Sequence, residues 1–336
     1  MDTVELARRL VDIPSVSGHE RAVVAWLDEY LRGLGYRVEQ SEAAPGRPNL
    51  LATTDVPPRV VFSTHVDTVP PHQPARVADG YLYGRGACDA KGIVAAQIAA
   101  CERLRATGER RVGLLFVVDE EAAAIGARHA NRHPRASECR FLVNGEPTGN
   151  RLIRGCKGSL RVRLRASGPG GHSAYPERAR SAIHDLLAVL ADVRAAPWPS
   201  DPLLGETTCN VGTIAGGEAL NVIARSAEAG VQIRLVTTPE ETEATLRQVV
   251  AGRAEIDVLS ATPAVRLTTP DGFETDVVSF ATDVPHLSRW GTPLLLGPGS
   301  IHDAHTPGER IAVAELERGV ELYARLGRTL LAEVPA

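Results

Sequence analysis

Apolar positions recur along this chain in two rhythms, and the change from one to the other marks out its parts. Val23, Val24, Trp26, Leu27, Tyr30, Leu31 and Leu34 fall at helical spacing, and Gly35 is placed to end that helix. A shorter helix precedes it, opened by Asp2 with Glu5 as a capping box and ending near Ile13 and Pro14; Ser17 with Glu20 repeats the device. Strands are expected over 36–39, 49–52 and 81–83, and an Ala-rich helix over 93–104. Three apolar runs stand out: 60–62, 112–118 and, opened by Arg140, 140–143. Such runs belong to strands covered on both faces, and their alternation with helices predicts an α/β domain with a largely parallel sheet.

After residue 155 the rhythm becomes strict alternation. Leu160, Val162, Leu164 and Ala166 interleave with Arg161, Arg163 and Arg165, the pattern of a strand with one face in water. A helix over 177–195, strands over 207–214 and 227–236, a helix from Pro239 to 250 and a strand over 256–259 complete the order β-α-β-β-α-β. That order is ferredoxin-like, an open-faced α+β sandwich. It reads as a domain, 157–264, inserted into a discontinuous larger one, 1–156 and 265–336. The larger domain resumes with a helix over 280–290 and a strand over 293–296. A loop follows, then a capping box at Thr306, Pro307 and Glu309 that launches a last helix to about 331.

Composition narrows the function classes. At 336 residues two domains are the natural expectation, and 43% apolar with 23% charged residues is ordinary for a globular protein. A net charge of −4 gives no basic footprint, which argues against nucleic acid as a partner. No apolar run approaches a membrane span, and the acidic, amphipathic N-terminus is unlike a signal peptide. The five cysteines are scattered without a CxxC pair, so neither a disulfide framework nor a thiolate zinc site is expected, and the reading is cytoplasmic.

The chemistry collects where the apolar runs stop. His65 and Asp67 follow the first run and share a strand face; Glu120 and Glu121 follow the second; Glu146 follows the third. His302 and His305 lie beyond the last strand, and Asp89 sits in a Gly-rich turn before a helix. In open α/β sheets ligands bind beyond the carboxyl ends of the strands. So many anions in one place require cations, and mixed imidazole and carboxylate donors suit Zn²⁺, Co²⁺ or Mn²⁺ better than Mg²⁺ or Ca²⁺. There are too many donors for one tetrahedral ion. A metal pair polarises a carbonyl and activates water, which points to hydrolysis of an acyl bond.

Five segments carry a family resemblance: 64–70 (THVDTVP), 84–92 (GRGACDAKG), 119–121 (DEE), 145–147 (GEP) and 305–309 (HTPGE). Together they resemble the M20 metallopeptidase family, which includes acetylornithine deacetylase, succinyl-diaminopimelate desuccinylase, aminoacylase and glutamate carboxypeptidase. The resemblance implies that His65, Asp89 and Glu146 hold one divalent ion, Zn or Co, while Asp89, Glu121 and His305 hold a second. It makes Glu120 the general base and Asp67 the group that orients His65, and it implies a cis peptide at Asp89–Ala90. The inserted domain becomes a lid and homodimer-forming domain. Segment 170–174 (GGHSA) carries His172, which the resemblance sends to a partner's site to stabilise the oxyanion. Asn221, in 216–223 (GGEALNVI), and Arg234 would hold a substrate carboxylate, a task that suits the guanidinium fork. Ala224 stands where the family usually has Pro. The activity implied first is cleavage of an N-acyl amino acid, with N-acetylornithine-like deacetylation ahead. The alternative is a metallo-carboxypeptidase or dipeptidase acting on short peptides. A non-catalytic metal-binding relative would need a missing ligand or base, and none is missing.

Overall fold

The computed structural model describes residues 1–334. The chain divides into two compact units: Met1–Arg154 with Leu267–Asp276 and Thr282–Ala336, and Gly155–Arg266 with Val277–Ala281.

The larger unit is built on a six-stranded sheet. Its order is Arg37–Ala44, Arg47–Thr53, Val112–Val117, Val60–His65, Phe141–Asn144, Thr292–Leu295. The first two strands form an antiparallel hairpin at one edge, and the remaining four run parallel to one another. Alternate residues explain the unbroken apolar runs. Phe62, Leu114, Phe116 and Val143 pack into one buried cluster with residues of the helices Lys91–Ala106 and Val313–Ala332. Val61, Leu115, Val117 and Leu142 pack into a second with Ala127, Ala130 and Trp290. Strands with side chains buried on both faces have no room for a polar alternate. The helix Lys91–Ala106 touches the sheet and both the first and last helices, so its alanines are buried on most sides.

Three local expectations fail, one for a local reason and two for tertiary ones. No helix spans 280–290; only a short 3₁₀ turn, Val284–His286, forms there. Pro285 has no N–H to give and disfavours helical geometry in the residue before it, so a helix cannot run through. The last helix starts at Val313, because Arg310–Ala312 is a strand paired with Tyr81–Tyr83. The Thr306 and Glu309 side chains are therefore not its cap. Likewise Ser17 and Glu20 do not form a capping box: Ser17 donates to Asp67, and Glu20 is buried against Arg47.

The smaller unit is an antiparallel sheet in the order Thr208–Gly216, Ser226–Arg234, Ser159–Ser167, Glu255–Thr262. Leu160, Val162 and Leu164 are buried with Leu186 and Val189 of the helix Ala182–Ala195 and Leu246 of the helix Pro239–Val250. Arg161, Arg163 and Arg165 are exposed on the opposite face. The first of these helices begins later than the apolar pattern suggests, at Ala182, where Ser181 accepts the His184 N–H. In chain order the elements read β-α-β-β-α-β, the ferredoxin-like arrangement. Among the described residues no helix is long and apolar enough to cross a membrane.

Candidate metal centre

Parallel register carries the chemistry to one end of the large sheet. His65 closes its strand level with Val117, so the turn bearing Glu120 and Glu121 begins beside it. Gly145 donates its N–H to the Ser63 carbonyl at 2.7 Å, which places Glu146 next to the same strand end. Glycine is required there: a Cβ would come within 2.5 Å of both Gln97 and Ile93 of the central helix.

The side chains then converge. His65 Nδ1 donates to the main-chain carbonyl of Asp67 at 2.9 Å, with the Asp67 carboxylate at 3.5 Å. A carbonyl can only accept, so Nδ1 carries the proton and Nε2 is the atom left facing the site. That Nε2 lies 3.0 Å from Asp89 Oδ1. The other Asp89 oxygen, Oδ2, is 3.4 Å from His305 Nε2, which is also 2.7 Å from Glu121 Oε1. His65, Asp89 and Glu121 each offer a ligand atom within 4.8 Å of the others. Asp89 thus touches both imidazoles, one with each oxygen. The Asp89–Ala90 peptide is cis.

Asp67 does more than face His65. Its two oxygens accept the backbone N–H groups of Glu120 at 3.1 Å and Glu121 at 3.2 Å, and Ser17 Oγ donates to it at 2.7 Å. It therefore shapes the turn on which both glutamates stand. Asp119, in the left-handed region at φ 70°, also organises this turn, accepting from Arg47 and from the N–H groups of Ala123 and Ile125.

Electrostatics mark the cluster as incomplete on its own. Burial, followed by the charge of Glu146, pushes the Glu120 carboxyl well above its ordinary range. Burial also raises Glu146, and Asp89 and Glu121 add to it. Burial would depress His65, yet its hydrogen bonds to Asp67 and Asp89 lift it well above the usual imidazole value. One oxygen of Glu146 is buried with no partner. A concentration of carboxylates with an orphaned oxygen and two imidazoles fits divalent cations.

His302 is exposed, and its backbone N–H donates to Ser300 Oγ. Three groups that sequence reasoning read otherwise or passed over belong to the site's surroundings. Ser17 and Glu309 look like capping residues, and the short S-x-x-E and T-x-x-E patterns hid their long-range partners. Asp283 is buried with both oxygens unpartnered, and its charge bears on Glu120 and Glu146.

The family model for peptidase family M20/M25/M40 matches residues 61–329. A probable carboxypeptidase of Paracoccidioides brasiliensis is 36% identical over 96% of this chain and 84% of its own length. The chain belongs to this family of peptidases, hydrolases of amide bonds. Among solved structures it is similar in fold to the M20 family metallo-carboxypeptidase of Sulfolobus solfataricus, with TM-score 0.79, 18% identity and coverage of 98% and 99% of the two chains. It is also similar to human carnosine dipeptidase 1, with TM-score 0.76, 17% identity and coverage of 99% and 97%.

The M20-type substrate residues expected from the sequence all fall in the smaller unit. Gly171–His172 pairs with Val222–Ile223 in a short ribbon, and Ser173 donates its N–H to the Asn221 carbonyl at 3.1 Å. That brings His172 and Asn221 onto neighbouring strand ends, both exposed. Arg234 closes the strand Ser226–Arg234. With its amide turned to present oxygen, Gln232 accepts from Arg234 Nε and Nη2 at 3.2 and 3.1 Å. The ribbon and the loop before it border a pocket of about 720 Å³ lined by Pro176, Ile183, His184, Ala219, Leu220 and Val222.

Proposed function

We propose that this protein is a two-metal carboxypeptidase or dipeptidase that cleaves short peptides ending in a free α-carboxylate. The observation that carries the proposal is the convergence of His65, Asp89, Glu121 and His305 around shared contacts, with Glu120 on the same turn as Glu121. His65, Asp89 and Glu146 would hold one cation and Asp89, Glu121 and His305 the other, with Zn or Co the best match to these donors. When bound, the pair polarises the scissile carbonyl and makes water acidic enough to attack it at neutral pH. Glu120 takes the proton from the attacking water and delivers it to the leaving nitrogen. Asp67 keeps that base in place through the two backbone N–H groups of the turn. Arg234 and Asn221 bind the substrate carboxylate, and His172 steadies the oxyanion across a homodimer formed by the inserted unit.

The names borne by the relatives favour peptidase action over the N-acetylornithine-type deacetylation that the sequence put first. The test is a panel assay on the Zn²⁺- or Co²⁺-supplied protein with dipeptides, the same dipeptides amidated at the C-terminus, and N-acetylornithine. Free-acid dipeptides should be turned over, and amidation should lower kcat/KM by about 100-fold, the cost of losing a charged contact. Faster hydrolysis of N-acetylornithine than of every dipeptide would return the reading to deacetylation.

A further inference from the structure

We infer that Glu309 is a positioning residue for the metal centre, locking the Asp89 loop and the His305 loop into one piece. This rests on the reading of Asp89 and His305 as metal ligands. Glu309 is 1% exposed, and a carboxylate buried to that degree needs strong partners. It has four. Oε1 accepts the backbone N–H groups of Gly86 at 2.9 Å, Cys88 at 3.2 Å and Asp89 at 3.1 Å. Oε2 accepts from Arg85 Nη1 at 2.5 Å, and Arg85 is itself 2% exposed.

One carboxylate oxygen therefore gathers three of the N–H groups in the turn that ends in Asp89, while Ala87 donates instead to the Gly84 carbonyl. Hydrogen bonds to an ionised acceptor are shorter and stronger than neutral ones, so this turn is held more firmly than loop backbone usually is. The main chain adds to the lock: Gly84 donates its N–H to the Glu309 carbonyl at 3.0 Å, and Arg310 pairs with Tyr83 in the following strand. Four residues before Glu309 stands His305, held in the left-handed region at φ 62°. A displacement of Glu309 would thus move the shared ligand Asp89 and the ligand His305 relative to each other. His65 depends on other anchors, namely its own strand and the Asp67 carbonyl. The consequence is specific. Loss of the Glu309 carboxylate should weaken the two-cation arrangement without removing any ligand.

The test uses the full chain stripped of metal and titrated with Co²⁺ alone, read by calorimetry and by the visible absorption of the bound ion. Glu309→Gln keeps the volume and one acceptor oxygen but drops the charge; Glu309→Leu leaves the three amides unpaired. Relative to wild type, the second equivalent of Co²⁺ should bind about 10-fold more weakly in the Gln variant and up to about 100-fold more weakly in the Leu variant, with an altered spectrum. A residue that only supports the fold would lower the melting temperature and leave the folded protein's Co²⁺ affinities and spectrum as in wild type. That result overturns the inference. If both variants fail to fold, Arg85→Met decides, since it removes Glu309's charged anchor and keeps the carboxylate; wild-type Co²⁺ binding by that variant also overturns it. A wild-type chain that binds no Co²⁺ would instead overturn the metal-centre reading beneath it.

Discussion

Apart from the exposed His305, the two units treat their candidate functional side chains in opposite ways. In the larger unit His65, Asp67 and Asp89 are buried to 5% exposure or less and bonded to one another or to nearby backbone. In the smaller unit His172 and Asn221 stand in water on a two-residue ribbon, and Arg234 is half-buried beside Gln232. The first arrangement stores geometry: cations and an attacking water need donors fixed before substrate arrives, because reorganising them during the reaction costs rate. The second leaves His172 and Asn221 solvated and Arg234 held by Gln232, and on the proposed reading Asn221 and Arg234 turn to a substrate carboxylate. The contrast suggests that damage in the larger unit should appear in turnover and metal binding, and damage in the smaller one in substrate affinity.

The largest effect should come from Glu120→Gln. It removes the proton acceptor and keeps the side chain's size, so kcat should fall by about 10³- to 10⁴-fold. The metal content of the purified protein should stay at the wild-type level. Metal analysis alongside steady-state kinetics checks both halves. Loss of metal with loss of activity would make Glu120 a ligand and erase its distinction from Glu121.

A smaller and different effect is expected from Arg234→Lys. Lysine keeps the positive charge but cannot offer two parallel N–H groups to a carboxylate. KM for a free-acid dipeptide should rise by about 10- to 100-fold while kcat changes little, the signature of lost uniform binding. If kcat fell instead with KM unchanged, the two units would not divide the work as proposed.

How much of this was legible in the sequence depended on the range of the interaction concerned. The runs 60–62, 112–118 and 140–143 announced strands buried on both faces, and Phe62, Leu115 and Leu142 are all 2% exposed or less. The arginine alternation in 161–165 announced a half-solvated strand just as plainly. Candidate ligands at strand ends were readable because the apolar run stops where the chemistry starts. Ser17 and Glu309 were misread because capping patterns are local, whereas their real partners lie 50 and 220 or more residues away in the chain. A carboxylate that can cap a helix can equally gather N–H groups from a distant turn, and spacing alone cannot separate the two. The expected helix over 280–290 failed at Pro285. With it went any hint that Asp283 is buried.

Asp283 offers the finest test of the contrast, since it belongs to the buried side and has no bonded partner for either oxygen among the described residues. Burial, with the charges of Asp67 and Asp119, lifts its carboxyl to about 7; His65 and Arg128 pull the other way. In the unfolded chain an Asp titrates near 3.9. The folded state therefore holds the proton more tightly, and the stabilisation it brings is complete below about pH 4 and is lost as pH rises towards 7. Glu120 and Glu146 are also raised and add their own slopes, so the informative quantity is the difference between wild type and Asp283→Asn. The Asn variant cannot ionise. In metal-free protein it should be more stable than wild type at pH 8 by on the order of 4 kcal/mol, and should show no such advantage at pH 4. Urea unfolding in a Trp198→Phe background would leave Trp26 and Trp290 as the only tryptophan reporters, both in the larger unit. Equal loss of stability between pH 4 and pH 8 in variant and wild type would mean that Asp283 is ionised throughout, and that the larger unit tolerates its buried anions without holding this proton.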